Sequence, residues 1–161
     1  LIDTGSNTAT GGRLKKVADF IKGDTFCFTY GDGLTNANIK DQIEFHKKHG
    51  KLATVLAVKP PGRFGALDLE DELVIDFLEK PEGDRSWING GFFVLQKKVI
   101  DYIDSFEMPW ERDPLMRLAK ERELISYFHK GFWQPMDTLR NKNYLEELWE
   151  KGNPSWKIWD N

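Results

Sequence analysis

Two short apolar runs, Thr25–Tyr30 and Leu52–Val58, stand on either side of a helix-forming segment, and this arrangement narrows the fold more than any other feature of the chain. Thr25-Phe26-Cys27-Phe28-Thr29-Tyr30 is rich in β-branched and aromatic residues and is too short for a helix, so it reads as a buried strand. Leu52 to Val58 is almost continuously apolar, the pattern of a strand covered on both faces. Between them, Ile39 to His49 puts Ile39, Ile43 and His46 on one helical face, and Gly50 follows as a stop at C′. A strand, a helix and a strand in that order predict a βαβ unit in a parallel sheet, hence an α/β protein.

The rest of the chain fits around that unit. Leu14, Val17, Ala18 and Ile21 recur at helical spacing and predict an amphipathic helix over Arg13–Lys22, with Thr10-Gly11-Gly12 before it as a turn and cap. After Pro60-Pro61-Gly62 the pattern changes to short strand-like runs at Gly65–Leu69, Val74–Glu79 and Asn89–Leu95. Val99–Ile103 reads as helical, and Asp113-Pro114 opens a helix with Asp as N-cap and Pro at N1. Leu124–His129 reads as a strand, Thr138–Trp149 as the last helix, and Gly152–Asn161 as an irregular tail carrying Trp156 and Trp159. No linker or repeat interrupts the chain, so one α/β domain over residues 1–161 is expected, with mixed or antiparallel strands in its later half.

Composition excludes several function classes. The 161 residues suffice for one domain with a real core, and 40% apolar with 30% charged residues is a globular balance. Lys and Arg number 23 against 26 Asp and Glu, a net charge of −3, so a nucleic-acid partner is not expected. No apolar run approaches the ~18 residues of a membrane span. The single cysteine, Cys27, forbids an intrachain disulfide, argues against a Cys metal site and fits a reducing, cytoplasmic setting. His46, His49 and His129 lack metal-ligand spacing and read as structural. The chain holds no nucleophile elbow, no Ser–His–Asp spacing and no Lys-Ser/Thr phosphate loop.

Chemistry gathers at a few strand exits. Asp32, between Gly31 and Gly33, follows a strand at the sheet edge where α/β proteins bind ligands; it is either a ligand for a hard cation or a turn residue. Glu79-Lys80-Pro81 closes another strand, with a Glu for sugar hydroxyls and a Lys for a phosphate, or else a surface ion pair. Asn89-Gly90-Gly91 enters a strand through paired glycines, which admit a ligand close to the backbone or mark a bulge. Arg63-Phe64-Gly65 offers an aromatic floor for a small-molecule pocket or a plain loop. Gly131 to Asp137 is a loop dense in bulky groups, and its Asp137 is either a second metal ligand or the cap of the last helix.

In this order, Thr10-Gly11-Gly12-Arg13-Leu14, Tyr30-Gly31-Asp32-Gly33, Pro60-Pro61-Gly62-Arg63-Phe64-Gly65-Ala66-Leu67-Asp68, Glu79-Lys80-Pro81, Asn89-Gly90-Gly91-Phe92-Phe93-Val94-Leu95 and Gly131-Phe132-Trp133-Gln134-Pro135-Met136-Asp137-Thr138-Leu139-Arg140 resemble the glucose-1-phosphate cytidylyltransferase family of sugar nucleotidyltransferases. The likeness runs over essentially the whole chain. It implies a Rossmann-like nucleotidyltransferase fold with a mixed, mainly parallel sheet flanked by helices. Residues 1–58 would end the nucleotide-binding half, and residues 59–161 would form the sugar-phosphate half with the C-terminal helix and tail.

The reaction implied is CTP plus α-D-glucose 1-phosphate giving CDP-glucose and pyrophosphate, in nucleotide-sugar supply for O-antigen or lipopolysaccharide. By the family pattern, Asp32 and Asp137 share one Mg²⁺, Lys80 takes the sugar phosphate, and Glu79, Asn89, Gly90 and Gly65 line the glucose pocket. Thr10, Gly11, Gly12 and Arg13 belong to the cytidine side, Gly31 to the ribose and Trp133 to the substrate-binding residues, while the stretch from Trp133 to Asp137 favours the cytidylyl branch. A homo-oligomer is implied as well. Two rival readings remain: a thymidylyl-, uridylyl- or guanylyltransferase, and a non-catalytic binding or assembly module. The family opens with a Gly-Gly-x-Gly-Thr-Arg phosphate loop and a following Lys, and neither occurs in these residues. The chain, which opens on Leu1-Ile2-Asp3, is therefore expected to be a C-terminal part, inactive alone, without the N-terminal strands and roughly the first hundred residues of a full domain.

Overall fold

In a computed structural model, which describes residues 1–60, 66–70, 73–78 and 87–159, the elements run α1 (Thr10–Lys16), β1 (Thr25–Thr29), β2 (Gly33–Thr35), α2 (Ile39–His49), β3 (Ala53–Val58), β4 (Ala66–Glu70), β5 (Leu73–Leu78), β6 (Ile88–Gln96), α3 (Asp113–Lys120), β7 (Leu124–His129), β8 (Trp133–Pro135) and α4 (Leu139–Glu150). Two compact units share them. The first holds Leu1–Thr29, Ile39–Leu56 and Phe92–Tyr127, and the second Tyr30–Asn38, Ala57–Gly91 and Phe128–Asn161. No helix among the described residues is long and apolar enough to cross a membrane.

The first helix begins earlier than the sequence predicts. Thr10, Gly11 and Gly12 are its opening turn, not a turn before it, and a short 3₁₀ segment at Ala18–Phe20 replaces its expected end. Glycine costs a helix about 1 kcal/mol relative to alanine, but here it permits a close approach. A Cβ on Gly11 would lie 2.6 Å from the Met108 carbonyl oxygen, and one on Gly12 only 2.0 Å from that of Phe106. Gly12→Ala is therefore expected to destabilise the protein by about 2–3 kcal/mol, although alanine is the better helix former. Urea unfolding reads the difference as a lowered midpoint, and an unchanged or raised midpoint contradicts this packing.

The larger sheet has the strand order β1-β6-β3-β7. β1 runs antiparallel to β6, from Thr25 opposite Gln96 to Thr29 opposite Phe92. The Gln96 N–H donates to the Leu52 carbonyl at 2.8 Å, and the Ala53 N–H to that of Glu123 at 2.9 Å. Thus β1, β3 and β7 start at one sheet edge, and β6 ends there. The predicted βαβ unit is correct in direction but not in adjacency, because β6 inserts between β1 and β3. The sheet is mixed, with three strands pointing one way.

β3 is buried at every position but Val55, as its apolar run predicts. The expected full burial of β1 is not found: Cys27 and Thr29 are exposed, while Phe26 and Phe28 are half-buried. That alternation marks a strand packed on one face only. On the packed face, Phe28 meets Phe93 and the fully buried Trp110, with centroids 5.9 and 6.2 Å apart. Leu56, Leu95, Ile103 and Leu118 complete this core.

The helix over Ile39–His49 forms as predicted, and Gly50 follows at φ +66°. Val99–Ile103 is a 3₁₀ segment at Lys97–Tyr102. At α3 the cap shifts by one residue. The Met116 N–H donates to the Arg112 carbonyl at 2.9 Å, so Arg112 is the N-cap, Asp113 takes N1 and Pro114 takes N2.

In the second unit, β2 and β8 form a short antiparallel pair, with Gly33 opposite Pro135 and Thr35 opposite Trp133. The sequence predicts neither strand, and residues 131–137 read as a loop. Three residues are too few for a period, and the pairing joins segments remote in sequence. β4 and β5 form an antiparallel hairpin. Trp156 of the tail packs against Phe132 and Trp149 at centroid distances of 5.7 and 6.4 Å, whereas Trp149 and Trp159 stay 56% and 57% exposed.

Candidate active site

The second unit sets Asp32 and Asp137 at neighbouring strand ends. β1 ends at Thr29, the chain turns through Tyr30 and Gly31, and Asp32 stands immediately before β2. One step past the last pair of the β2–β8 ladder, the Met136 N–H donates to the Asp32 carbonyl at 2.8 Å. Asp32 and Asp137 thus leave adjacent strand ends, and both are exposed. The helix-cap role open to Asp137 falls to Thr138, whose hydroxyl accepts the Asn141 N–H at 3.2 Å. Two solvent-facing carboxylates suit a magnesium ion, which takes one or two protein oxygens and keeps water or phosphate elsewhere. Among the described residues no three His, Cys, Asp or Glu side chains converge as ligands, so water and substrate would supply the rest of the coordination.

Beside this pair the segment Asn89-Gly90-Gly91 is tightly tied. The Asn89 Oδ1 accepts the Gly91 N–H at 2.9 Å, an Asx turn, and its Nδ2 donates to the Tyr30 hydroxyl at 3.1 Å. The Tyr30 N–H donates to the Gly91 carbonyl at 3.0 Å. The Trp133 indole N–H donates to the Gly90 carbonyl at 2.8 Å. Gly91 has φ +79°, and a Cβ there would lie 2.6 Å from Tyr30 Cδ2. Its glycine is required by both backbone and neighbour. Sequence reasoning passed over Tyr30; the available signal was an aromatic directly before Gly-Asp-Gly.

Thr10, Gly11, Gly12 and Arg13 lie in the first unit, where the Thr10 and Arg13 side chains are engaged and Gly11 and Gly12 are packed against the Met108 and Phe106 backbone, which leaves the two glycines no open face for the nucleotide expected there. The Thr10 hydroxyl donates to Glu111 Oε2 at 2.7 Å and accepts the Trp110 N–H at 2.9 Å. Arg13 donates to Thr4 Oγ1 at 2.6 Å and to the Ser6 carbonyl at 3.3 Å. Gly65, Glu79 and Lys80 lie outside the described residues.

The histidines have structural partners. His46 is fully buried, with Nδ1 2.8 Å from Thr54 Oγ1 and Nε2 3.1 Å from Gln96 Nε2. His49 Nε2 meets the same Thr54 hydroxyl at 2.7 Å, and its Nδ1 accepts the Lys51 N–H at 2.9 Å. Burial, helped by neighbouring His49, lowers the His46 pKa to about 4. Burial also lowers that of His49, against the opposing pull of Glu123. His129 Nε2 lies 2.9 Å from Asn36 Oδ1.

Residues 3–141 match the Nucleotidyl transferase family. The chain is 58% identical over 161 residues to the glucose-1-phosphate cytidylyltransferase of Salmonella typhi, covering 99% of this chain and 63% of that protein. It is 42% identical over 160 residues to the Bacillus subtilis protein named probable glucose-1-phosphate cytidylyltransferase, covering 98% and 62%. The crystal structure of HddC from Yersinia pseudotuberculosis superposes with a TM-score of 0.67 at 21% identity, over 90% of this chain and 64% of that one, and shares the fold. The chain therefore spans less than two thirds of the length of these relatives. With a family match over most of its residues and a mixed sheet flanked by helices, the chain belongs to the nucleotidyl transferase family.

Proposed function

We propose that the protein carrying this chain transfers a cytidylyl group from CTP to α-D-glucose 1-phosphate, forming CDP-glucose and releasing pyrophosphate. The observation that carries this reading is the 58% identity, over 99% of the chain, to a glucose-1-phosphate cytidylyltransferase. An oxygen of the sugar phosphate attacks the α-phosphorus of CTP, the bond to the β-phosphate oxygen breaks, and pyrophosphate leaves with that electron pair. The nucleophile belongs to the substrate, so the protein's tasks are positioning and charge neutralisation.

Asp32 and Asp137 would hold Mg²⁺, which would supply charge neutralisation for the phosphates. Lys80 neutralises the sugar phosphate, and Glu79, Asn89, Gly90 and Gly65 shape the glucose pocket. Gly31 leaves room at the ribose, since nothing lies within 4 Å of where its Cβ would stand.

Pyrophosphorolysis tests the assignment. The complete gene product, given pyrophosphate and Mg²⁺, is expected to consume CDP-glucose at least tenfold faster than UDP-, dTDP- or GDP-sugars. Faster use of another base moves the protein to a different branch of the family.

A further inference from the structure

We propose that Tyr30 and Trp133 are positioning residues of the sugar-phosphate pocket, fastening the Asn89-Gly90-Gly91 segment to the two strand ends that carry Asp32 and Asp137; this rests on the cytidylyltransferase reading above. Three residues receive ties from two directions. From one side, Tyr30 bonds the Gly91 carbonyl through its N–H and the Asn89 amide through its hydroxyl, at 3.0 and 3.1 Å. Its ring fills the place of a Gly91 side chain. Two residues later the same chain reaches Asp32. From the other side, the Trp133 indole holds the Gly90 carbonyl at 2.8 Å, and β8 runs on from Trp133 toward Asp137.

The Asn89 amide is occupied by the Asx turn and by Tyr30, so its main action is on backbone shape. Asn89 is exposed, and hydrogen bonds that water can replace add little to folding. What the ties do fix is where the glucose-facing backbone stands relative to the carboxylate pair. A small displacement of reacting groups is costly in rate, which gives such a clamp its function.

The test uses Trp133→Phe and Tyr30→Phe in the complete gene product, with steady-state kinetics for both substrates and urea unfolding. Trp133→Phe keeps an aromatic ring and loses one hydrogen bond, and about a tenfold rise in the KM for glucose 1-phosphate is expected. The KM for CTP should change less than twofold. Tyr30→Phe keeps the ring on Gly91, removes only the hydroxyl, and should give a smaller shift with the same substrate selectivity. Equal changes for both substrates, or a lowered urea midpoint with unchanged kinetics, overturn the clamp and leave the two aromatics as packing. If Trp133→Phe does not fold, the selectivity of Tyr30→Phe decides alone. A wild-type protein that makes no CDP-glucose removes the functional reading, and the clamp with it.

Discussion

Asp32→Asn and Asp137→Asn are each expected to lower CDP-glucose synthesis by ~10²–10³-fold in the complete gene product, with the double variant little worse than either single one. Asparagine keeps the size of the side chain and removes the charge that a hard cation requires. The two residues leave strand ends joined by the Met136–Asp32 backbone bond, so both carboxylates are expected to serve one ion. Loss of either then removes most of what the pair does. Both side chains are exposed, so urea midpoints should move by less than ~0.5 kcal/mol in stability. Rates measured across a Mg²⁺ titration check this, and the variants should need more Mg²⁺. Multiplicative losses, or single losses below threefold, would mean that the carboxylates act separately.

The second large effect concerns acid. His46 is fully buried and its pKa is lowered from 6.5 to about 4. In the unfolded chain it takes up a proton near pH 6.5 that the folded protein refuses. Stability is therefore complete above pH 6.5 and is lost as the pH falls toward 4, by about 3 kcal/mol in total. His49, also lowered, acts in the same direction over the upper part of that window. Glu123, held below the usual carboxylate range chiefly by its hydrogen bond from Lys51, adds a further loss at lower pH. Urea midpoints from pH 7.5 to 4.5 should fall steadily. In His46→Gln the curve should start lower and slope less. A wild-type curve flat across this range contradicts a neutral His46 in the core.

Local pattern made several elements legible in the sequence. β3 and α2 announce themselves by a continuous apolar run and by a helical stripe with a glycine stop, and Leu124–His129 is found with its predicted bounds. Contacts between distant segments were not legible. Nothing local places β6 between β1 and β3, and nothing in three residues reveals that β2 pairs with β8. Gly11 and Gly12 looked like a turn because their helical reason is the backbone around Phe106 and Met108, nearly a hundred residues away. The same division holds at the site. Asp32 and Asp137 stand out by residue type and resemblance, but that they leave neighbouring strand ends follows only from the β2–β8 ladder. Tyr30 was missed because its work is done on Asn89 and Gly91.

The most direct measurement is the forward reaction itself, followed by ³¹P NMR. The complete gene product is mixed with Mg²⁺, glucose 1-phosphate and equal amounts of CTP, UTP, dTTP and GTP. The account predicts that the diphosphate resonances of CDP-glucose and a pyrophosphate signal grow together, while the other three triphosphates stay intact. A different nucleotide sugar as the main product, or no pyrophosphate while the protein is folded, would contradict it.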